Sequence, residues 1–355
     1  MQKAVKAPFT KGVNFTNWLE YRPASEVKED YYTKQDFINA KRLGCDVIRL
    51  PIHFEELIAG DKSLTIPEKV FRILDCVAEW VDELQMHVIF DFHNATGADS
   101  RTSDDVESLL IPIWSQVAAR YKDASDYIIY ELMNEPHGIE IEKWNKAIYN
   151  VFHHVRAIDK KHHIIVGGAD WNSFAAMKTL PDFQDDKVIY TFHFYDPHTF
   201  THQGAGWSHL ERVVGIPFPY EESRMPQMPE NPTEEERRRF ENYPKEGTVE
   251  RVIEFFDQYV AFSVERNAPV FCGEFGAFAP FATHEDRVSW YTIVANLLDE
   301  RGIARTSWDY YGGFGIYDFR KLKGLTMEER RKWTWDFPED LDMDIVKALK
   351  LEDSL

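Results

Sequence analysis

The chain has 355 residues, 44% of them hydrophobic and 14% aromatic with ten Trp, and a formal net charge of −19. That acidity argues against nucleic acid and anionic membranes as partners, since both are bound through basic patches; the one dense basic run, Arg237-Arg238-Arg239, sits among glutamates as a solvated helix face. No apolar stretch is long enough to span a membrane, and there is no Gly/Ser linker, P-loop, dinucleotide fingerprint or internal repeat.

In chain order, the first predicted strand covers residues 12–18 and ends on Asn17 and Trp18, with Glu20 just beyond. The second, 46–52, holds Arg49 inside Val-Ile-Arg-Leu-Pro. A helix follows over 67–84, with Pro67 at its first position, where a missing N–H costs nothing. The third strand, 87–93, runs Asp-Phe-His-Asn and presents His93 and Asn94, followed by a helix over 106–121. The fourth, 127–134, leads into Asn134-Glu135-Pro136 and a helix over 144–158. The fifth, 163–168, precedes Asp170 and Trp171, and the sixth, 188–195, ends in His193-Phe-Tyr195. Residues 196–248 then break the rhythm. They are Pro-rich, Glu-rich and contain Trp207, and they predict a long loop, either a lid or binding wall or surface decoration. A helix over 249–265 leads to the seventh strand, 269–274, which ends on Glu274, and a helix over 287–300 leads to the eighth, 305–310, with Trp308. A charged insertion at 319–341 and a helix over 342–351 close the chain.

Eight strand–helix alternations in one run predict an α/β fold: a single-domain (β/α)8 TIM barrel across residues 1–355, with loop insertions at 196–248 and 319–341. Cys45, Cys76 and Cys272 have no metal-ligand spacing and read as three buried thiols. Trp80, Trp114, Trp144 and Trp290 fall on helices and read as packing. No secretion signal is visible, which leaves two compartments: export for a chain trimmed of its leader, cytoplasm otherwise.

Barrel active sites collect at the C-terminal ends of the strands. Two apolar strands here end in glutamate, Glu135 and Glu274, and a desolvated carboxylate at a strand end is expensive unless it has a task or a partner. Two such acids facing each other are the equipment for breaking a glycosidic bond. Arg49 is a natural partner for Glu274 and would keep it ionised; its alternative is an ion pair in the barrel floor. His93 and His193 read either as site residues or as satisfied core histidines, and Tyr195 either packs or donates to a carboxylate. Sugar rings present an apolar face, so Trp171, Trp207 and Trp308 are the candidate aromatic platforms. The histidines are scattered singly along the strand ends, which calls for no metal, and nothing calls for a cofactor.

These motifs resemble glycoside hydrolase family 5, the cellulase-containing family of retaining barrel enzymes. The resemblance rests on Arg49, on His93 in Asp-Phe-His-Asn, on Asn134-Glu135, on His193-Phe-Tyr195, on Glu274 in Gly-Glu-Phe-Gly and on Trp308, and it extends to Gly313-Phe-Gly-Ile-Tyr-Asp318. It implies Glu274 as nucleophile, Glu135 as acid/base, Arg49, His93, Asn134, His193 and Tyr195 in support, and Asn17, Glu20 and Asn94 among the sugar contacts. Many endoglucanases of that family carry a second His where this chain has Asn94. The implied activity is endo-hydrolysis of a β-1,4-linked glucan as polysaccharide or oligosaccharide. Mixed-linkage glucan, xyloglucan, 1,3-linked glucan and mannan or glucomannan are sister specificities served by the same residues. A non-catalytic carbohydrate-binding barrel would have lost one of the two carboxylates, and neither is lost. Oligomeric state is left open.

Overall fold

The computed structural model describes residues 2–58, 60–94 and 100–352. Its strands are β1 (Lys11–Asn14), β2 (Val47–Ile52), β3 (His87–Phe92), β4 (Ile128–Glu131), β5 (His163–Gly167), β6 (Val188–Phe194), β7 (Val270–Phe275) and β8 (Ala304–Ser307). Each pairs in parallel with the next, and β8 pairs back onto β1, closing a barrel in sequence order.

The barrel interior is layered by the two-residue alternation of side chains along a strand. Val47, Ile89, Ile129, Ile165, Ile189, Phe271 and Ala304, one from each of β2 to β8, form a closed apolar plug with Phe9 and Ala7 beneath. Two residues further along, the same interior positions are Arg49, Asp91, Glu131, Gly167, Thr191, Gly273 and Thr306. The interior therefore changes from wholly apolar to largely polar within one layer. The outward-facing residues of the strands, such as Ile48, Val88, Ile128 and Cys272, join the larger core against the surrounding helices.

The crossover helices match the sequence pattern with small shifts. Helices Glu68–Leu84, Val106–Tyr121, Ile141–Ile158, Val249–Arg266 and His284–Arg301 cover the expected stretches, and Met343–Ala348 forms the last one. Pro67 is not the first helical residue but the N-cap, with extended backbone (φ −58°, ψ 138°), one step outside the helix. The connection between β5 and β6 is short on helix: a left-handed turn at Ala169–Asn172 is followed by the single-turn helix Phe174–Met177. Cys45 and Cys272 are buried as expected, but Cys76 is exposed. It lies on the solvent side of helix Glu68–Leu84, whose buried stripe is Val70, Phe71, Ile73, Leu74, Val77 and Val81.

Residues 196–248 are long but not irregular throughout. They contain the single-turn helix His198–Thr201 and the helix Glu234–Glu246, which starts on a Thr233–Glu236 capping box. The insertion at 319–341 holds the short helix Met327–Lys332, and a bridge between Tyr317 and Leu341 closes its base.

Candidate active site

The strands stop earlier than their apolar runs do. β1 ends at Asn14, β4 at Glu131 and β8 at Ser307, so Asn17, Asn134, Glu135 and Trp308 sit in the first residues of the following loops. Arg49, His193 and Glu274 lie within their strands, while His93, Asn94 and Tyr195 follow directly on theirs.

Arg49 is fully buried and organises the floor of the site. Its Nε and Nη2 donate to the two oxygens of Glu131 at 2.7 and 2.9 Å, a bidentate pair. Nη1 donates to Glu274 Oε1 at 2.8 Å and to Asn14 Oδ1 at 3.0 Å. Nη2 also donates to Asn134 Oδ1 at 2.8 Å and lies 2.9 Å from Asp91 Oδ2. Burial works against its charge, but Asp91, Glu131 and Glu274 outweigh burial and hold its pKa above the ordinary value. The opposed alternatives for Arg49 thus coincide: it is a floor ion pair and the partner of Glu274.

Glu274 reaches this position through a bulge. Phe192 of β6 pairs with Cys272, but His193 pairs with Glu274, so Gly273 is an extra residue in β7. Both Gly273 and Glu274 consequently face the interior. A Cβ on Gly273 would stand 2.9 Å from Thr191 Oγ1 and 3.1 Å from His193 Nε2, so only glycine leaves the crowded wall undisturbed. The Tyr195 hydroxyl donates to the second oxygen of Glu274 at 2.9 Å, and burial followed by the Glu274 charge raises the phenol so that it stays protonated.

Glu135 faces Glu274 across His193. Nδ1 of His193 lies 2.6 Å from Glu135 Oε1 and 3.5 Å from Glu274 Oε2, and one oxygen of each carboxylate lies within 4.8 Å of the other. Burial pushes the Glu135 carboxyl up to about 7, against the opposing pull of His93 and Arg49. Burial also lowers His93 and His193 to about 4, so both rings are neutral at ordinary pH. The two acids thus stand in different surroundings: Glu274 is held by a guanidinium and a phenol, and Glu135 is raised by burial.

Around this pair stand the sugar-facing candidates. Trp308 is half-buried and parallel to the His93 ring, at 5.6 Å and 16°. Trp171 is 41% exposed and stacks on His137 at 3.7 Å and 11°. It sits in the middle of three consecutive left-handed residues, Asp170 (φ 56°), Trp171 (φ 59°) and Asn172 (φ 57°), a costly conformation for side chains with a Cβ. Trp207 is 59% exposed, with its ring edge against Phe278. Asn17, also left-handed at φ 66°, donates its backbone N–H to Glu20 Oε2. Glu20 is fully buried, and burial raises it to about 8. Asn94 is buried beside His93, and its Oδ1 has no partner among the described residues.

Three neighbours of the site escaped the sequence reading. Asp91 and Glu131 are the interior acids that hold Arg49, and His137 backs Trp171 while its Nδ1 bonds the Glu135 carbonyl at 2.8 Å. A signal was present for the acids: each stands two residues after an isoleucine of the apolar plug, Ile89 and Ile129, and so must share its interior direction.

Comparison with known proteins bears on the fold and the family. The cellulase model of glycosyl hydrolase family 5 matches residues 7–313. Endoglucanase 3 of Fibrobacter succinogenes is 29% identical over 90% of this chain, which spans 52% of that relative's length. Endoglucanase C of Acetivibrio thermocellus is 28% identical over 85% of this chain and 91% of its own. The crystal structure of endoglucanase Cel5A from the hyperthermophile Thermotoga maritima is similar at a TM-score of 0.74 and 26% identity, over 96% of both chains. That enzyme has been solved with cellobiose and with mannotriose.

Proposed function

The chain belongs to glycosyl hydrolase family 5, and from that premise we propose that it is a retaining endo-β-1,4-glucanase working by double displacement. The observation that carries the reading is the approach of Glu135 and Glu274, with carboxylate oxygens within 4.8 Å. Retaining pairs stand roughly 5–5.5 Å apart, whereas inverting pairs need room for a water between them.

In the first step Glu274 attacks the anomeric carbon, forming an ester to the sugar, while the bond to the leaving oxygen breaks and Glu135 gives that oxygen its proton. In the second, Glu135 takes a proton from water, which attacks the anomeric carbon and releases Glu274. Arg49 and Tyr195 each bind one oxygen of Glu274, which fixes its direction. His193 bridges the two acids. Asn134 Oδ1 accepts from Arg49, and its Nδ2, buried and without a partner among the described residues, suits the sugar 2-hydroxyl. Trp171, Trp207 and Trp308 offer ring faces to successive sugars, and Asn17, Glu20 and Asn94 line the neighbouring polar wall. A second reading, the same chemistry on mannan or glucomannan, is favoured by the similar Thermotoga maritima Cel5A, which has been solved with mannotriose as well as with cellobiose.

The test is reducing-sugar release on carboxymethylcellulose, mixed-linkage glucan, xyloglucan, glucomannan and xylan, with Glu274→Ala and Glu135→Ala beside the parent. Both variants should fold and lose most activity, and the first sugar released should keep the β-anomeric configuration by NMR. Activity of either variant within about tenfold of the parent would overturn the assignment, since a positioned acid or base alone contributes about 10²–10⁴.

A further inference from the structure

Beyond pairing with Arg49, one fully buried acid beside the site makes a second contact that the double-displacement scheme does not use. Asp91, on β3, is 0% exposed, and its Oδ2 lies 2.7 Å from His93 Nδ1 and 2.9 Å from Arg49 Nη2. Its other oxygen, Oδ1, has no partner among the described residues. Nη2 gives its two hydrogens to Glu131 Oε1 and Asn134 Oδ1, so its approach to Oδ2 is an ion pair that favours the ionised carboxylate. Burial raises Asp91 to about 7 against the pull of Arg49, so above that pH it is a carboxylate, and its close contact with His93 then requires the proton to sit on Nδ1. The imidazole is neutral, because burial lowers its pKa to about 4, so a proton on Nδ1 leaves Nε2 bare. Trp308, parallel to the ring, limits its tilt.

We infer that Asp91 is a positioning residue that locks His93 in the Nδ1–H form, making its Nε2 an acceptor for a hydroxyl of the sugar beside Trp308. This deepens the glycosidase reading and rests on it for the identity of the ligand. His93 would contribute no proton to the reaction; it would select sugars that present a hydroxyl donor at that place. A ring of the opposite tautomer would place N–H against the same hydroxyl and would accept nothing from it.

Two substitutions separate this role from bulk packing. Asp91→Leu removes the acceptor, and Asp91→Asn keeps an oxygen in the place of Oδ2 without the charge. In protein with ¹⁵N-labelled histidine at about pH 8, where Asp91 is ionised, the parent His93 should give a pyrrole-type Nδ1 and a pyridine-type Nε2. Asp91→Leu should reverse the two, and Asp91→Asn should keep the parent pattern. In kinetics, Asp91→Leu should lower kcat/KM on cello-oligosaccharides about tenfold to hundredfold, the size expected when a buried hydrogen-bonding partner is mismatched, and Asp91→Asn should recover most of it. A parent His93 protonated at Nε2 would overturn the inference with no variant needed. Equal losses in the Leu and Asn variants would overturn it as well. The tautomer is read without any substrate, so a protein that cleaves no β-glucan would refute the glycosidase reading and leave the Asp91–His93 measurement to stand or fall by itself.

Discussion

Replacing Arg49 by Met would take one cation from three carboxylates at once. The guanidinium meets Glu131 at 2.7 and 2.9 Å, Glu274 at 2.8 Å and Asp91 at 2.9 Å, all out of water. Removing one partner of a buried ion pair costs about 3–5 kcal/mol, because the charge left behind is neither solvated nor paired. With an unfolding entropy of roughly 2.1 cal/mol/K per residue, a chain of 355 residues carries about 0.75 kcal/mol/K, so the loss should lower Tm by about 4–7 °C. The dependence on pH follows from what can replace the cation. Burial already raises Glu131, and Asp91 to about 7, with Arg49 opposing both shifts. Without Arg49 these acids rise further above their unfolded values and the native state holds more protons than the unfolded chain. Stability is then retained at low pH and lost as pH climbs through the folded pKa values. Thermal unfolding of parent and Arg49→Met, followed by circular dichroism, should show the full deficit at about pH 8 and a clearly smaller one at about pH 5. A deficit of the same size at both pH values, or none at about pH 8, would refute the view that Arg49 compensates buried negative charge.

The raised carboxyl of Glu135 sets the alkaline limb of activity: kcat/KM should fall as pH rises through about 7, where the acid loses the proton it must donate. A profile that stays flat across that pH would remove Glu135 from the acid role. Trp207→Ala should weaken hydrolysis of long oligosaccharides by about 1 kcal/mol, the scale of one aromatic stacking contact, and leave small aryl glycosides unchanged. Equal effects on both substrates would make Trp207 a structural residue of the segment between β6 and β7.

Much of the molecule is legible in its amino acids alone. The alternation of apolar strands and amphipathic helices predicts a parallel sheet with helices on its faces, and eight such units in one run favour its closure into a barrel. Arg49, Glu135 and Glu274 also stand out in the sequence, since charged residues in or at the end of apolar strands are costly unless they are used. The partners of those residues belong to the closed structure. Arg49 meets Asp91, Glu131 and Glu274 from three other strands, and no local pattern states which of several acids one guanidinium will hold. The direction of Glu274 is the sharpest case. Phe271 faces the interior, so regular alternation would turn Gly273 inward and Glu274 outward, toward the helices. The extra residue at Gly273, opposite the step from Phe192 to His193, brings Glu274 back into the barrel beside Glu135. Sequence by itself determined that two carboxylates would be present at the strand ends. Tertiary pairing between β6 and β7 decided that they face each other, because a bulge depends on how two distant strands align and not on the residues of either strand alone.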